Sequence, residues 1–415
     1  MHILFLTHYY PPEVNAPASR ASELARAWVK KGCKVTIVTC APNHPSGKIH
    51  SGYANEMFQQ ETIDGVDVIR IWTFIAANEG FGRRLINYLS YPVSLLANRF
   101  RLPDADVIVS TSPQFFCGLA GRLFRTQKRP WILEVRDLWP ESIVAVGAMK
   151  KGAAIRFLEG VERYAYRRAD AIVSVTDSFE RHISRHAPQT PLRVIKNGVD
   201  FSLFGDDSTN VRDQADSFRK KHRLTGKFVA GYIGTHGMAH SLDTVLQAAE
   251  QLRERTDIAF LMVGDGAERA RLQDKARRLG LDNVTFLGQR PKNEMPMLWS
   301  CVDASLVLLK RTDTFKSVLP SKMFEAMAMA KPVVLGVEGE AKELLDESGG
   351  GIAIEPENPV ALVQALVDWA DRPNDASGRG ELGRLYVRRN LDRDRLAEDY
   401  LSFIEDVVRR HRAAC

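Results

Sequence analysis

Two α/β domains, each a doubly wound parallel sheet, are what this sequence predicts, and three observations carry the prediction. The chain has 415 residues, beyond the size at which one hydrophobic core usually stops growing, so two domains of similar size are expected. Short apolar runs alternate with longer amphipathic stretches in both halves, the order of a parallel sheet wrapped by helices. Glycines follow the strand ends, where the chain must turn sharply and a backbone can approach a ligand. The carboxyl ends of both sheets are then expected to face one central cleft, which is where function is sought.

In the first half HILFLTHY reads as a buried first strand, Ser19 to Lys31 as a helix, and CKVTIVTC, VDVIRIW and ADVIVSTS as strands. A helix from Phe116 to Arg125, the strand PWILEVRD and a helix from Lys151 to Arg168 follow. ADAIVSVTDSFERHI and LRVIKNGVD supply the last two strands of that sheet. The charged segment Ser202 to His222 lacks an apolar stripe long enough for a core element, so it is expected to be a linker that closes a first domain of residues 1–202.

The alternation restarts with FVAGYIGTHG and continues through Asp243 to Arg255, IAFLMVGDG, Glu268 to Leu279, NVTFLGQ and Glu294 to Ser300. ASLVLL, Lys322 to Ala330, KPVVLG, GIAIEP and Pro359 to Asp371 complete a second domain over 203–392. Residues 393–415 form a last helix that could pack on either domain and is assigned to the first.

Composition excludes several classes. Hydrophobic residues make up 45% of the chain and charged ones 26%, as in a globular protein and unlike a disordered or collagenous one. Five cysteines without a C-x-x-C pair suggest neither a disulfide framework nor a zinc cluster, and a reducing, cytoplasmic compartment is expected. No run reaches the ~18 apolar residues of a membrane span, and the apolar start lacks the basic region of a signal peptide. Residues 1–200 hold 26 Lys+Arg against 18 Asp+Glu, whereas residues 201–415 hold 31 against 33. The basic first half suggests an anionic partner or merely a solvated surface; no nucleic-acid module is recognised.

Three segments carry chemistry. GYIGTHG, Gly231 to Gly237, joins a strand to a helix and so offers free N–H groups to phosphate. In SKMFEAMAMAKPVV, Glu325 lies one turn into a helix, where a carboxylate can accept two hydrogen bonds from a vicinal diol; Ser321 and Lys322 bring a hydroxyl and a cation to the helix start. The alternative is an ordinary helix with Ser321 as its N-cap. EVRDLWPES follows a strand, so Arg136, Asp137 and Glu141 are expected at the cleft; Asp137 either orients an acceptor hydroxyl or caps a turn.

These pieces, in this order, resemble the GT-B glycosyltransferases, specifically retaining family 4, over nearly the whole chain. The match rests on FVAGYIGTHG, FLMVGDGAER, SKMFEAMAMAKPVV and GGGIAIEPENP in the second half, with HYYPPEVNAPASR, RDLWPES and VIKNGVD in the first. The bacterial surface-polysaccharide members, colanic acid, O-antigen and L-fucosamine transferases, are the most similar in pattern. The resemblance implies that Glu325 holds the ribose of a nucleotide sugar as the second acid of E-x7-E. It further implies that Gly288 to Pro291 cradle the base with Arg290, and that Gly234, Thr235, His236 and Gly237 lie near the donor diphosphate. Asn15 and Ala16 occupy the place of the family's glycine-rich acceptor loop.

Two departures stand out. Ser317 occupies the first E-x7-E position, and Thr235, His236 and His240 stand where an Arg and a Lys usually neutralise the diphosphate. Lys322, or else Lys316, is the replacement cation expected. With no D-x-D in a suitable loop, stabilisation without a metal by Lys322 and helix N-termini is expected, and no cofactor.

Phe81 to Leu102 interleaves Arg83, Arg84, Arg99 and Arg101 with aromatic residues including Tyr88, a pattern that fits an anionic membrane surface or, alternatively, a core helix with basic ends broken at Pro92. The partners implied are a nucleotide-sugar donor, UDP-linked and carrying for example N-acetyl-L-fucosamine, and a polyprenyl-diphosphate-linked glycan acceptor at the membrane. A nucleotide-sugar epimerase and a non-catalytic nucleotide-sugar-binding regulator are the rival readings.

Overall fold

The computed structural model describes residues 1–44, 47–75, 81–112, 114–141, 152–205 and 209–414. The chain divides into two compact units, Met1–Lys196 with Asp394–Cys415, and Asn197–Arg393.

The first unit holds a sheet of eight strands: β1 His2–Leu6, β2 Lys34–Cys40, β3 Phe58–Ile63, β4 Val66–Ile71, β5 Val107–Thr111, β6 Trp131–Val135, β7 Ala171–Ser174 and β8 Leu192–Val194. Their order is β3-β4-β2-β1-β5-β6-β7-β8, parallel throughout except for the β3–β4 hairpin. Helices α1 Ala16–Lys30, α2 Phe81–Ala97, α3 Phe115–Ala120, α4 Ala153–Arg168 and α5 Asp177–His186 cover it. The pleat sorts the core. Along β1, Ile3 and Phe5 pack into one layer with Leu24 and Trp28 of α1, while Leu4 and Leu6 pack into the other with Tyr91, Cys117 and Tyr166.

The second unit begins with α6 Phe201–Phe204 and α7 Thr209–Lys221. Its strands β9 Phe228–Ile233, β10 Ile258–Val263, β11 Val284–Leu287, β12 Ala304–Leu308, β13 Val333–Gly336 and β14 Gly351–Ala353 are all parallel, in the order β11-β10-β9-β12-β13-β14. Between them run α8 Asp243–Gln251, α9 Arg269–Leu279, α10 Met295–Ser300, α11 Ser321–Ala328 and α12 Glu340–Ser348, followed by α13 Pro359–Asp371 and α14 Pro373–Asn390. Ala259, Leu261 and Val263 of β10 face one core layer and Ile258, Phe260 and Met262 the other. This is the doubly wound architecture expected of each half.

The last helix, α15 Arg393–Ala413, belongs to the first unit's core: Tyr400 meets Trp28 edge to face at 5.2 Å, and the Trp28 indole donates to the Ala397 carbonyl at 3.0 Å. The segment expected to be a linker is corrected. Residues 209–221 form a helix in which Ala215 is buried and Phe218 packs against the core with Phe204 and Leu224. Ala215 and Phe218, one turn apart on the helix, seat it against Phe204 before it and Leu224 after it, although the rest of the segment is charged. The first unit accordingly ends at Lys196 rather than at 202, since Val199 and Phe204 join the second core.

Candidate functional site

In the second unit the strand order reverses between β9 and β12, so the loops leaving those strands diverge and open a crevice at the carboxyl edge. The loop after β9, Gly234 to Gly237, lies edge to edge with the loop after β10. Gly234 N donates to the Val263 carbonyl, His236 N to that of Asp265, and Glu268 N to that of His236, each at 2.9 Å. The two chains approach so closely that a Cβ on Gly264 would stand 2.0 Å from the Gly234 oxygen, and one on Gly266 2.5 Å from the His236 oxygen. Only glycine fits there, which explains the G-D-G of the second loop.

Helix α11 begins on the other side of the switch point, with Pro320 at the N-cap and Ser321 exposed as its first residue. No side chain caps it, so the alternative of Ser321 as N-cap is excluded. Half-buried Lys322 reaches the first loop: its Nζ donates to the Tyr232 hydroxyl at 2.7 Å and stands 4.0 Å from that ring's centre. Tyr232 donates in turn to the Thr235 carbonyl at 2.7 Å. Burial pushes the Lys322 ammonium down to about 7, with Glu325 pulling the other way.

His236 is fully buried, and neither of its ring nitrogens has a partner. Burial, with Arg269 and Lys322 adding against Asp265, holds it down at about 4. The half-buried His240, whose Nδ1 is also unpartnered, is pushed by burial and Lys322 to about 3. Both rings are neutral at pH 7 and supply hydrogen bonds but no charge. The cations are Lys322 and Arg269, the residue that opens α9 beside Gly288 and whose Nε is buried without a partner.

Sequence reasoning missed Arg269. Its signal was available, since Val263-Gly-Asp-Gly repeats the strand, glycine loop and helix order of the β9 loop. Arg290 is exposed and faces Glu294 at 3.9 Å. Lys316 is occupied on the surface by Asp313 at 2.8 Å and Glu338 at 3.6 Å, which leaves Lys322 as the better-placed cation. Ser317 donates to the Thr314 carbonyl at 3.0 Å, while half-buried Glu325 sits on α11 next to Lys322.

In the first unit the switch point lies between β1 and β5. Gln114 Nε2 donates across it to the Tyr9 hydroxyl at 3.1 Å, and the Tyr9 ring packs edge-on against His8 and His44. Buried Glu13 accepts from the backbone N–H groups of Asn43 and His44 at 2.9 and 2.8 Å, pinning the β2 loop to the β1 loop. Asn15 caps α1 by accepting from Ala18 N at 2.8 Å, and Ala16 is its exposed first residue. His8 Nδ1, Asn15 Nδ2, His44 Nδ1 and Gln114 Oε1 are buried without partners, a set of donors and acceptors suited to a polyhydroxylated ligand. His8, Tyr9, Glu13, His44 and Gln114 were not singled out in the sequence; the signal for the first three was HYYPPE directly after the first strand, while His44 and Gln114 carry none.

At the end of β6, Glu134 is fully buried and paired with Arg20 at 2.9 Å, while Thr111 donates to its other oxygen at 2.6 Å. Arg20 also donates to the Ile195 and Lys196 carbonyls, tying α1 to the end of β8. Nε and Nη1 of Arg136 are buried without partners, and burial pushes its pKa down to about 10 against the pull of Glu134. Asp137 follows in a bend and Glu141 is exposed; both lie in electrostatic reach of Tyr166, whose hydroxyl donates to Glu162 at 2.7 Å.

The residues expected at a membrane differ in exposure. Tyr88 is half-buried and turned toward His8 at 6.4 Å, which corrects its assignment as an exposed contact. Arg99 and Arg101 are exposed, the latter stacked on Phe58 at 3.9 Å. The side chains of Arg83 and Arg84 lie outside the described residues. Pro92 does not break the helix, which runs through it.

Residues 15–198 match the glycosyl transferase 4-like domain and residues 227–372 the glycosyl transferases group 1 family. WcaI of Escherichia coli (strain K12), named as a colanic acid biosynthesis glycosyl transferase, is 24% identical over 97% of this chain and all of its own. Sucrose-phosphate synthase from Thermosynechococcus elongatus superposes with a TM-score of 0.77 at 18% identity, covering all of both chains. HepE of Anabaena, solved in complex with UDP, superposes with a TM-score of 0.70 at 16% identity over 98% of this chain and all of the other. At these identities the two structures speak to fold alone.

Proposed function

The chain belongs to the family 4 glycosyltransferases of GT-B type, and from that premise we propose that it moves a sugar from a UDP-linked donor to a lipid-linked glycan intermediate with retention, in bacterial surface polysaccharide biosynthesis. The observation that carries the donor half of this reading is Lys322, held by Tyr232 at the mouth of a glycine-lined loop and one turn before Glu325. A diphosphate seated there would meet Lys322, Arg269 and the uncapped start of α11, while Glu325 would take the ribose hydroxyls.

Breaking the anomeric C–O bond leaves charge on the diphosphate, which Lys322 and Arg269 are placed to offset without calling on a metal. The acceptor oxygen bonds to the anomeric carbon on the face that the diphosphate leaves, and its proton passes to a departing phosphate oxygen. No strong protein base is then needed, and Asp137 orients the acceptor hydroxyl. The UDP assignment is our own choice of nucleotide, the one with which the fold neighbour HepE was solved, and the polysaccharide assignment is supported by WcaI. An N-acetylated amino sugar such as N-acetyl-L-fucosamine is the sugar we propose, with the acceptor held by a polyprenyl diphosphate at the inner face of the plasma membrane. Among the described residues no helix is long and apolar enough to cross a membrane, so the contact proposed is peripheral.

A thermal-shift panel of UDP, GDP, CMP, dTDP and ADP tests the reading, because a ligand that binds only the folded state raises its stability. UDP is expected to raise the transition and the rise to vanish in Glu325→Ala. A panel without any response would sink the donor assignment and favour the non-catalytic regulator.

A further inference from the structure

Helix α2 seats Tyr91 and Leu95 in the core, lines the rest of its inward side with polar residues and leaves an apolar stripe outside. Asn87, Ser90, Ser94 and Asn98 are 3–9% exposed and face the protein, whereas Ile86, Leu89, Val93 and Leu96 are 41–65% exposed, and Phe100, in the turn just beyond, is 89% exposed. Three of these polar side chains are engaged on the protein side or their own helix, while the Ser94 hydroxyl is buried without a partner. Asn87 donates to the Phe74 carbonyl, Ser90 accepts from Phe74 N, and Asn98 donates to the Met57 and Ser94 carbonyls. At 100° per residue the four exposed apolar side chains fall within an arc of about 80°. Scattered exposed apolar residues need no account, but a continuous exposed stripe on a helix that buries four polar residues does.

We propose that this face of α2 docks the chain on an anionic lipid bilayer, with Leu89, Val93, Leu96 and Phe100 entering the boundary between headgroups and acyl chains. The proposal rests on the reading of a lipid-linked acceptor and gives that reading a surface. The occupant follows from charge: residues 80–103 contain four arginines and not one acidic residue, and Arg99 and Arg101 are exposed at the end of the stripe. Such a face complements anionic headgroups. Pairing of α2 with itself in a second copy would set arginine against arginine, with no carboxylate on this segment to offset it. The opposite face of the same helix carries Tyr88 and Tyr91 against His8. A headgroup drawn from the bilayer would thus reach the unpartnered polar cluster of this unit across one helix diameter, about 10 Å.

Flotation of the full chain with vesicles of phosphatidylcholine, with and without one-third phosphatidylglycerol, tests this. The wild type is expected to float with the anionic vesicles and less with neutral ones or at high salt. Val93→Ser/Leu96→Ser/Phe100→Ser is expected to lower partitioning by at least about tenfold, with its melting temperature and nucleotide response unchanged. Arg99→Gln/Arg101→Gln should lower binding to anionic vesicles several-fold and flatten its salt dependence, and it decides the matter if the triple variant fails to fold. A wild type that ignores anionic vesicles while still responding to nucleotide overturns the docking face alone. Vesicle binding without any nucleotide response overturns the transferase reading alone. A wild-type dimer that the triple variant dissociates, with vesicle binding unchanged, assigns the stripe to a second copy and overturns the proposal.

Discussion

The Nζ of Lys322 donates to the Tyr232 hydroxyl at 2.7 Å while lying 4.0 Å from the centre of the same ring, so one aromatic residue fixes both the position and the surroundings of the cation. Burial there lowers the Lys322 pKa to about 7. A bound diphosphate favours the charged amine and raises that value, so binding takes up a proton. Nucleotide affinity is therefore expected to be greatest below pH 7 and to fall by up to about tenfold per unit above it. Calorimetric titrations in buffers of different ionisation enthalpy measure the uptake directly. Lys322→Arg, charged at every pH, should bind with a flat profile; a wild-type affinity independent of pH between 6 and 9 would remove the lysine from the site.

The same shift has a stability consequence. Because the folded pKa is depressed, the unfolded chain binds more protons between about pH 7 and pH 10.4, and stability rises with pH across that window. Lys322→Met is expected to raise the melting temperature at pH 7 by a few degrees while abolishing the nucleotide response. Scanning calorimetry of the two proteins, with and without UDP, separates the two effects.

Gly264 and Gly234 are in backbone contact, so Gly264→Ala must push the two loops apart. The 2.0 Å approach and the φ of +135° at Gly264 both oppose a side chain. A loss of about 2 kcal/mol or more is expected, together with the loss of the nucleotide shift, whereas Gly226→Ala faces no atom within 4 Å and suffers only its positive φ. Chemical denaturation of both variants provides the comparison.

Glu325 and Asp137 are assigned to different substrates and should fail differently. Glu325→Ala is expected to weaken UDP binding by about 10- to 100-fold, the worth of a charge-assisted hydrogen-bond pair. Asp137→Asn should leave UDP binding intact and lower kcat. Equal loss of nucleotide binding in both variants would contradict the assignment.

Glu134 is buried and closed in by Arg20 and Thr111. Burial by itself raises its pKa, yet Arg20 and Arg136 hold it below the usual carboxylate range. It contributes stability above the unfolded value near pH 4.3, and that contribution is lost as pH falls through the folded one. Arg20→Met leaves the carboxylate buried without its partner and is expected to cost about 3–5 kcal/mol. Glu134→Gln/Arg20→Met should recover much of the loss, which urea denaturation of the three variants measures.

Much of this protein was legible in one dimension. Buried parallel strands are near-continuous apolar runs, and HILFLTHY, IAFLMVGDG and KPVVLG announce themselves for that reason. So do the glycine loops at Gly234 and Gly264, where backbone meets backbone and no side chain fits. Lys322 was legible because it stands beside Glu325 on a helix start. Helix α7 was hidden, since Ala215 and Phe218 are too few to form a stripe until Phe204 and Leu224 on either side of the helix close the core with them.

Other features belong to the tertiary structure alone. Arg269 and Lys322 are 53 positions apart and flank His236 only because the strand order folds the β9, β10 and β12 loops together. Tyr9 and Gln114 meet across the β1–β5 switch point for the same reason. Which face of α2 points outward was likewise undecided in the sequence, where the segment alternates small polar and apolar residues that could face either way. Periodicity fixes which residues share a face of an element; only the packing of the whole chain decides what that face meets.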